Sequence, residues 1–373
     1  FATSIALIIC TALVYNQLNF IQQKKLGFQK DQVLILDDAY GLGDAVQAFK
    51  TESLQNPAVS AVTVSGFLPV PSNRSDETFS KVRDFREDQS VNMQYWRVDQ
   101  DYLKTLGMEL VSGRFFDPEK YASDSTAIVL NKTAARTFGF DPVLGSKVYS
   151  HKGQVQGQSN PEDFFELTVI GVVKDFHFSS LRENIGNLSM RLGRSSGAIS
   201  VRYKAAETQA LISALESSWK RLAPGQPFQY RFLDEAFAQV YSTEQRIGRI
   251  AGIFALLSVL VSCLGLFGLA AFTAERRTKE IGIRKILGAS TAGIVGLLSK
   301  DFLKLVLLAL VLATPLAWYF MSRWLEDFAY RTNIQWWIFG LAGLTAVLIA
   351  FLTIATQSIK AALANPVNSL RSE

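Results

Sequence analysis

The chain has 373 residues, of which 49% are hydrophobic and 19% are charged, and its formal net charge is +5. The charged residues lie outside four long apolar runs, as in a membrane protein with a large water-exposed part. The densest basic cluster lies between two of these runs, which favours a role in membrane topology over nucleic-acid binding. Both cysteines, Cys10 and Cys263, lie within apolar runs, and this excludes a disulfide framework in the water-exposed part.

The first apolar run, residues 1–22, predicts a transmembrane helix that has lost its start. Its uninterrupted apolar part, residues 1–15, would span only about 22 Å as a helix, against ~30 Å for a hydrocarbon core. It lacks the basic region with which a cleavable signal peptide begins. We therefore expect the chain to be a fragment of a longer protein.

Residues 23–245 predict a large α+β domain outside the cytoplasm. The expected strands are residues 33–36, 59–65, 79–85, 93–98, 127–130, 167–174, 198–203 and 228–232, and the expected helices are residues 44–54, 102–106, 132–138 and 207–222. Asn131 and Gly139 are the expected start and stop of the third of these helices. Because there is no repeated strand–helix–strand unit, we expect one mixed sheet with helices on one side.

A helical pattern then runs from Asp234 into the second apolar run. It predicts either one continuous helix into the membrane or two helices with a bend near Gly248 or Gly252. A continuous helix would connect the outer domain mechanically to the segment that follows the span.

Three further spans are expected at residues 246–273, 302–322 and 336–357, with an outer loop at 323–335 and a cytoplasmic tail at 358–373. The segment 274–301 holds six Lys or Arg against three acidic residues, whereas the loop 323–335 holds two of each sign. Because Lys and Arg are retained inside, segment 274–301 is placed in the cytoplasm. The predicted fold class is a membrane α-helical protein with four transmembrane helices and an extracytoplasmic α+β domain inserted between helices 1 and 2.

Small residues recur along the second span with spacings of four, three, four and three, which predicts a helix-packing seam. They are Ala251, Ala255, Ser258, Ser262 and Gly265. The apolar cores of the spans carry no Asp, Glu, Arg or His, which argues against a polar path for a substrate through the bilayer.

The basic segment itself has a helical pattern, with a narrow apolar stripe of Ile283, Ile286 and Leu287 surrounded by charged residues. Gly288 is placed where a helix C-cap glycine would lie, and Ser290 can cap the next helix. Two interpretations fit this short amphipathic helix. It can neutralise anionic lipid headgroups at the inner membrane surface, or it can dock on a partner.

Other chemistry is weakly indicated. Residues 139–147 resemble a nucleotide-binding loop but have one residue too many between their glycines, and we interpret them as a turn. Asp175 and His177 share one face of a strand end and could bind a metal, although without a third ligand a structural hydrogen bond is favoured. No nucleophile–base pair stands out, so no catalytic, cofactor or metal site is predicted and the chain is expected to be non-catalytic.

Three segments resemble the FtsX/MacB-type permeases of ABC transport systems: residues 280–289 (EIGIRKILGA), 172–181 (VVKDFHFSSL) and 365–371 (NPVNSLR). The order of one span, a large outer domain and three spans is also similar to that family. The resemblance implies that segment 274–301 carries a coupling helix that docks on an ATPase subunit. The residues to which the resemblance assigns this docking role are Glu280, Gly282, Arg284, Lys285, Leu287, Gly288 and Ala289.

The same resemblance implies the partners and the location. ATP and Mg²⁺ would be bound by the partner ATPase and not by this chain. A second permease half, either the N-terminal half of the same chain or a homodimer mate, would complete the membrane part, surrounded by lipid and with a possible periplasmic adaptor. Nucleic acid is not an expected partner. The expected location is the bacterial cytoplasmic membrane.

Several functions remain open within this resemblance. MacB-like export or efflux by mechanotransmission is favoured, with lipoprotein extraction of the LolC/LolE kind and activation of cell-wall hydrolases of the FtsX kind as alternatives. From another class, an ATP-independent membrane receptor or scaffold would need no docking helix. A tethered extracellular enzyme is disfavoured because four spans are present where one would suffice.

Overall fold

The structure, a computed structural model, describes residues 1–83, 85–151, 164–204 and 207–363. Residues 361–363 are described by their backbone alone. It divides into two compact units. One consists of Phe1–Gln23 and Tyr241–Glu373, and the other of Lys24–Val240. The first is the membrane unit and the second is the α+β unit.

The helices are, in chain order, α1 (Ala2–Gln23), α2 (Val46–Gln55), α3 (Tyr102–Leu106), α4 (Lys132–Phe138), α5 (Thr208–Leu222), α6 (Leu233–Gln239), α7 (Ser242–Arg276), α8 (Thr278–Ile286), α9 (Thr291–Glu326) and α10 (Trp336–Leu363). The strands are β1 (Val33–Asp37), β2 (Val59–Val64), β3 (Asp76–Ser80), β4 (Ser90–Val98), β5 (Leu110–Gly113), β6 (Ala127–Asn131), β7 (Lys147–His151), β8 (Phe164–Val173), β9 (Leu188–Leu192), β10 (Ala198–Tyr203) and β11 (Tyr230–Phe232).

Four helices of the membrane unit are long and apolar enough to cross a membrane: Ala2–Gln23, Ser242–Arg276, Thr291–Glu326 and Trp336–Lys360. They match the four predicted spans. Helix α1 packs against α7, α9 and α10. In an apolar stretch of 18 residues, 44% of α1 is buried, against 11% of α7. Helix α10 also packs against α7, α9 and α1, so α1 and α10 together form the centre of this unit, and α7 presents most of its apolar surface outward.

The starts of α7 and α9 can be compared with the sequence predictions. The helical pattern from Asp234 forms two helices, but the break lies ahead of both glycines, because α6 ends at Gln239 and Tyr241 has the non-helical angles φ −107° and ψ 16°. Neither Gly248 nor Gly252 interrupts α7. Helix α9 begins at Thr291, ahead of the predicted span 302–322, and the predicted cap is confirmed, because the Ser290 side chain accepts a hydrogen bond from the Gly293 N–H at 3.2 Å.

The α+β unit contains two sheets, so the single mixed sheet expected from the sequence is wrong. The first is an antiparallel sheet of four strands in the order β11-β1-β10-β2. Helices α2 and α5 cover it, and Phe49 meets Trp219 edge-on with 5.6 Å between ring centroids. Helix α5 lies within the predicted helix 207–222, and its apolar face packs on this sheet, since Leu211, Leu215 and Trp219 are buried.

The second sheet closes into a ring. Its order is β5-β8-β6-β9-β4-β3-β7, and β7 also pairs with β8, so six of the seven strands form a closed barrel. Three of its strands, β5, β7 and β9, were not predicted. Helix α4 packs Ala134, Ala135 and Phe138 into the barrel core, next to side chains of β3, β4, β6, β7 and β8. Closure satisfies the strand edges that an open sheet would expose.

Helix α4 has the predicted boundaries, and its caps are visible. The Asn131 side chain accepts a hydrogen bond from the Ala134 N–H at 2.9 Å. Gly139 ends the helix with φ +61°. Helix α4 therefore begins at the last residue of β6 and covers that end of the barrel.

A buried ion pair joins the two sheets. The Lys50 ammonium on α2 lies 2.7 Å from an Asp99 carboxylate oxygen and 2.6 Å from one of Asp101, just beyond β4. Asp99 also accepts hydrogen bonds from the Thr63 hydroxyl and, at 2.9 Å, from the Val64 N–H, both on β2. Burial lowers the pKa of Lys50, but the two carboxylates outweigh it and leave that pKa raised.

Candidate functional site

The predicted docking helix is α8, which lies between α7 and α9. The Thr278 hydroxyl donates to the Ala274 carbonyl at 3.0 Å where α7 passes into α8. Glu280 and Arg284 lie one turn apart and form an ion pair at 2.8 Å, with both side chains 45% exposed. An exposed pair of this kind is worth only about 0.3–0.5 kcal/mol, so it leaves both charges available to a partner.

A glycine fixes the end of α8. Gly288 has φ +90°, its N–H donates to the Lys285 carbonyl at 3.1 Å, and the N–H of Ala289 reaches back to the Arg284 carbonyl at 2.9 Å. This is the Schellman arrangement, which satisfies the last carbonyls of a helix. A Cβ at Gly288 would meet nothing within 4 Å, so the backbone angle, and not crowding, favours glycine there.

The two faces of α8 differ in what covers them. Ile281 and Gly282 are buried, and Ile281 shares an apolar cluster with Ile294 and Leu298 of α9. The predicted apolar stripe lies on the exposed side: Ile283, Ile286 and Leu287 are 52%, 62% and 80% exposed. Sequence reasoning missed the anchoring role of Ile281. The apolar positions 294, 295 and 298 at the start of α9 could have indicated a partner for it.

Basic side chains surround the exposed stripe. Lys279 is exposed, and Lys285 is partly buried. At the base of the segment, Arg277 lies 3.7 Å from Asp301 of α9. Helix α8 therefore presents an apolar tip with a cationic border, which fits either an apolar groove with acidic edges or an anionic lipid surface.

The predicted packing seam of α7 faces α1 over part of its length. Ser4 of α1 lies 2.7 Å from the Ser258 hydroxyl and 3.1 Å from that of Ser262. Ala255 is buried, Ala251 is partly buried, and Gly265 is exposed.

The close approach of α7 to α1 also involves two glycines. A Cβ at Gly248 would lie 3.1 Å from Val14, and one at Gly252 would lie 3.7 Å from Thr11. At Gly265 a Cβ would meet nothing within 4 Å. The sequence analysis treated Gly248 and Gly252 only as possible bends and so missed their place in this contact.

Comparison with known proteins identifies the family to which this chain belongs. A family model described as "MacB-like periplasmic core domain" matches residues 3–217, and one described as "FtsX-like permease C-terminal" matches residues 252–366. The chain belongs to the MacB/FtsX-like family of ABC transporter permeases. Helix α8 lies in the FtsX-like segment, and the barrel lies in the MacB-like segment. The tail motif at residues 365–371 lies outside the described residues.

Individual relatives are distant. An uncharacterized ABC transporter permease of Bacillus subtilis, YknZ, is 22% identical over 326 residues, which is 83% of this chain and 77% of YknZ. The macrolide export ATP-binding/permease protein MacB of Neisseria meningitidis is 25% identical over 297 residues, 73% of this chain and 42% of MacB. The chain thus spans less than half of the MacB relatives. The crystal structure of the periplasmic region of MacB from Actinobacillus actinomycetemcomitans aligns with 59% of this chain and 97% of that region, at 14% identity and a TM-score of 0.40.

In the MacB-like segment, the Asp175 carboxylate has a structural role. It accepts hydrogen bonds from the Thr133 N–H and the Thr133 hydroxyl, both at 2.9 Å, at the start of α4. His177 is 5% exposed, and its backbone N–H donates to the Leu26 carbonyl at 2.8 Å. Burial, with a smaller effect of Lys24, lowers the pKa of His177 to about 4 against the opposing pull of Asp175. Among the described residues no group of three or more His, Cys, Asp and Glu could hold a metal.

Proposed function

We propose that this permease is a non-catalytic subunit of the bacterial cytoplasmic membrane that couples ATP hydrolysis by a separate ATPase to movement of its extracytoplasmic domain, for export. The observation that carries the proposal is the two-sided arrangement of α8. One side is anchored to α9 through Ile281, and the other exposes Ile283, Ile286 and Leu287.

This arrangement suits the transmission of force. Docking of the exposed stripe would bury apolar area worth ~25 cal/mol per Å², and the surrounding cations would orient α8 against acidic edges of the partner. Because Ile281 packs on the start of α9, a displacement of α8 would pull on the base of that membrane helix. ATP and Mg²⁺ would be held by the partner, in keeping with the names of the MacB relatives, which join an ATP-binding part to a permease part.

The membrane helices support a further part of the proposal. Most of the apolar surface of α7 is uncovered, with Phe254, Leu257 and Val261 among the exposed side chains. A second permease half, with lipid around it, would cover this surface. The apolar cores of the spans lack the acidic residues, arginines and histidines that mark polar paths, so the substrate would be handled by the extracytoplasmic domain, alone or with a periplasmic adaptor.

The test is site-specific photocross-linking from α8 in the native membrane. A benzophenone amino acid replaces Leu287 in the parent chain and in an Arg284→Glu variant, and the cross-linked protein is identified by mass spectrometry. We expect a subunit that carries a nucleotide-binding P-loop, and we expect the purified complex to hydrolyse ATP. Arg284→Glu should lower the cross-linking yield at least about tenfold, since a charge-assisted contact is worth ~1.5–3 kcal/mol.

Lys300→Glu is the matched control, because Lys300 is an exposed base on the same side of the membrane unit but lies on α9. It should leave both the cross-link and the ATPase activity unchanged. If no P-loop subunit is captured and Arg284→Glu leaves the function of the chain intact, the coupling proposal is wrong. An ATP-independent receptor would then be the better account.

A further inference from the structure

The two ends of the barrel differ in chemistry. At the end covered by α4, the inward side chains are apolar and belong to the buried core, among them Phe79, Met93 and Leu130. At the opposite end there is a cavity of about 750 Å³. Its lining includes Glu77, Tyr95, Arg97, Phe165, Arg191 and Arg194.

Strand register shows that these side chains face inward. Glu77 is paired with the core residue Met93, and Arg97 lies two residues beyond Tyr95, which packs against the same core. Arg97 is in turn paired with Arg191 on the parallel neighbour β9. Because paired residues share a face and alternate residues return to it, the arginines continue the inner face of the barrel.

The arginines are held in place but are not neutralised. The Arg97 Nε donates to the Tyr95 hydroxyl at 3.3 Å, and the Arg191 guanidinium lies 4.7 Å from the centroid of the Phe165 ring. Within the part of the chain that the structure describes, no acidic side chain forms an ion pair with Arg97, Arg191 or Arg194. Arg97 is exposed and Arg191 is partly buried, so both guanidinium groups are accessible to a bound anion.

The acidic residues of the cavity offset this charge only in part. Asp76 accepts a hydrogen bond from the Gln94 side chain. Burial raises the pKa of Glu77, and the nearby Arg191 and Arg97 oppose that effect. The lining holds three arginines against the two carboxyl groups of Asp76 and Glu77. The arginine side of the cavity therefore stays electropositive.

We propose that this end of the barrel binds a small organic anion, a carboxylate or phosphate ester with an aromatic or apolar body. Guanidinium groups match the two-oxygen geometry of carboxylates and phosphates, and Tyr95 and Phe165 supply flat apolar walls. The volume is within the ~300–1,000 Å³ of small-molecule sites, and the mouth of a barrel is a common place for one. Binding here is independent of the ATPase proposal, because it requires only this chain.

Isothermal titration of the purified full chain in mild detergent tests the proposal. The probes are phenyl phosphate, benzoate, inorganic phosphate and uncharged benzyl alcohol. We expect saturable binding of phenyl phosphate or benzoate, with weaker binding of inorganic phosphate and none of benzyl alcohol. Whichever of these two aromatic probes binds with the higher affinity shows whether the site prefers a phosphate or a carboxylate.

Four variants locate the site. Arg97→Gln and Arg191→Gln should each weaken binding at least about tenfold, the effect of losing a charge-assisted pair. Gly193→Leu keeps every charge but adds a side chain whose Cβ would lie 3.5 Å from the Arg97 Cδ, and it should weaken binding by obstruction. Arg136→Gln removes an exposed arginine of α4, outside the cavity, and should change affinity less than twofold.

Circular dichroism and thermal melting confirm that each variant is folded before it is titrated. The absence of saturable binding of both aromatic anions to the parent chain overturns the proposal. Equal affinity in folded Arg97→Gln, Arg191→Gln and parent protein overturns it as well.

Discussion

Ile281 of α8 is buried together with Leu298 of α9, although the two residues belong to different helices on either side of the Gly288 turn. This contact fixes α8 to the base of a membrane helix, while two residues further along α8 Ile283 is 52% exposed. The same residue type thus occurs on both faces of one short helix, once as an anchor and once as an accessible surface.

We expect Ile281→Ala to loosen α8 and Ile283→Ala to leave it unchanged. Truncation of a buried isoleucine costs ~2 kcal/mol or more, whereas an exposed one contributes little. Hydrogen exchange of the α8 amides, measured by mass spectrometry, should accelerate about 30-fold in Ile281→Ala, the equivalent of ~2 kcal/mol of local stability. Equal exchange rates in the two variants would show that Ile281 is not the anchor.

Gly288→Ala should destabilise the end of α8 by about 1 kcal/mol, since a side chain at φ +90° is strained even where space is open. Gly288→Val should cost more, because branching at Cβ narrows the allowed angles further. Gly296→Ala is the matched control. It lies inside α9, where a Cβ also meets nothing within 4 Å, and it should be neutral or slightly stabilising. The exchange rates of the amides from Ile286 to Ala289 report the difference.

Local signals in the sequence predicted the elements that depend on local physics. Asn131 and Gly139 mark the ends of α4, and Gly288 and Ser290 mark the turn between α8 and α9, because capping is decided within a few residues. The four spans also follow from apolar length alone.

Pairings between distant residues could not be predicted in the same way. The barrel closes through contacts such as Arg97 with Arg191, far apart in sequence, and no local pattern encodes that register. The same reason explains why the anchor of α8 was missed. The stripe of Ile283, Ile286 and Leu287 is visible as a pattern, whereas the burial of Ile281 depends on where α9 lies.

Asp99→Ala should destabilise the α+β unit far more than Asp101→Ala, although both carboxylates lie within 2.7 Å of the Lys50 ammonium. The Asp99 side chain is 14% exposed and also binds Thr63 and Val64, whereas that of Asp101 is 32% exposed. Breaking a buried pair costs ~3–5 kcal/mol, and a partly exposed one costs ~1 kcal/mol or less. Denaturant unfolding followed by tryptophan fluorescence measures both. Similar losses in the two variants would contradict the account of Asp99 as the joint between the sheets.

Ser258→Leu should weaken the packing of α7 on α1, whereas Ser258→Ala should cost only ~0.6 kcal/mol, the average for a hydrogen bond between membrane helices. The larger side chain has no room where the Ser4 hydroxyl lies 2.7 Å away. Gly265→Leu is the steric control, since its site is open within this chain. Thermal melting in detergent should therefore fall clearly for Ser258→Leu alone. A fall of equal size for Gly265→Leu would indicate that a second copy or another chain packs on that part of α7.

The stability of the α+β unit should fall as the pH decreases from about 6.5 to 4, because of His177. Its pKa is about 4 in the folded chain, against an ordinary value of 6.5, so the unfolded chain binds a proton in this window that the folded chain does not. The free energy of unfolding should then drop by ~1.4 kcal/mol per pH unit and by roughly 3 kcal/mol in total, with no effect above pH 7.

His177→Asn removes the titrating group, so the difference between its unfolding free energy and that of the parent should change with pH across this window. Lys24→Gln should reduce the loss of stability, because Lys24 helps to hold the pKa of His177 down and its removal lets that pKa rise. Denaturant unfolding at pH 7.5, 6, 5 and 4.5 measures all three proteins. A parallel decline in the parent and in His177→Asn across this window would show that the acid sensitivity does not come from His177.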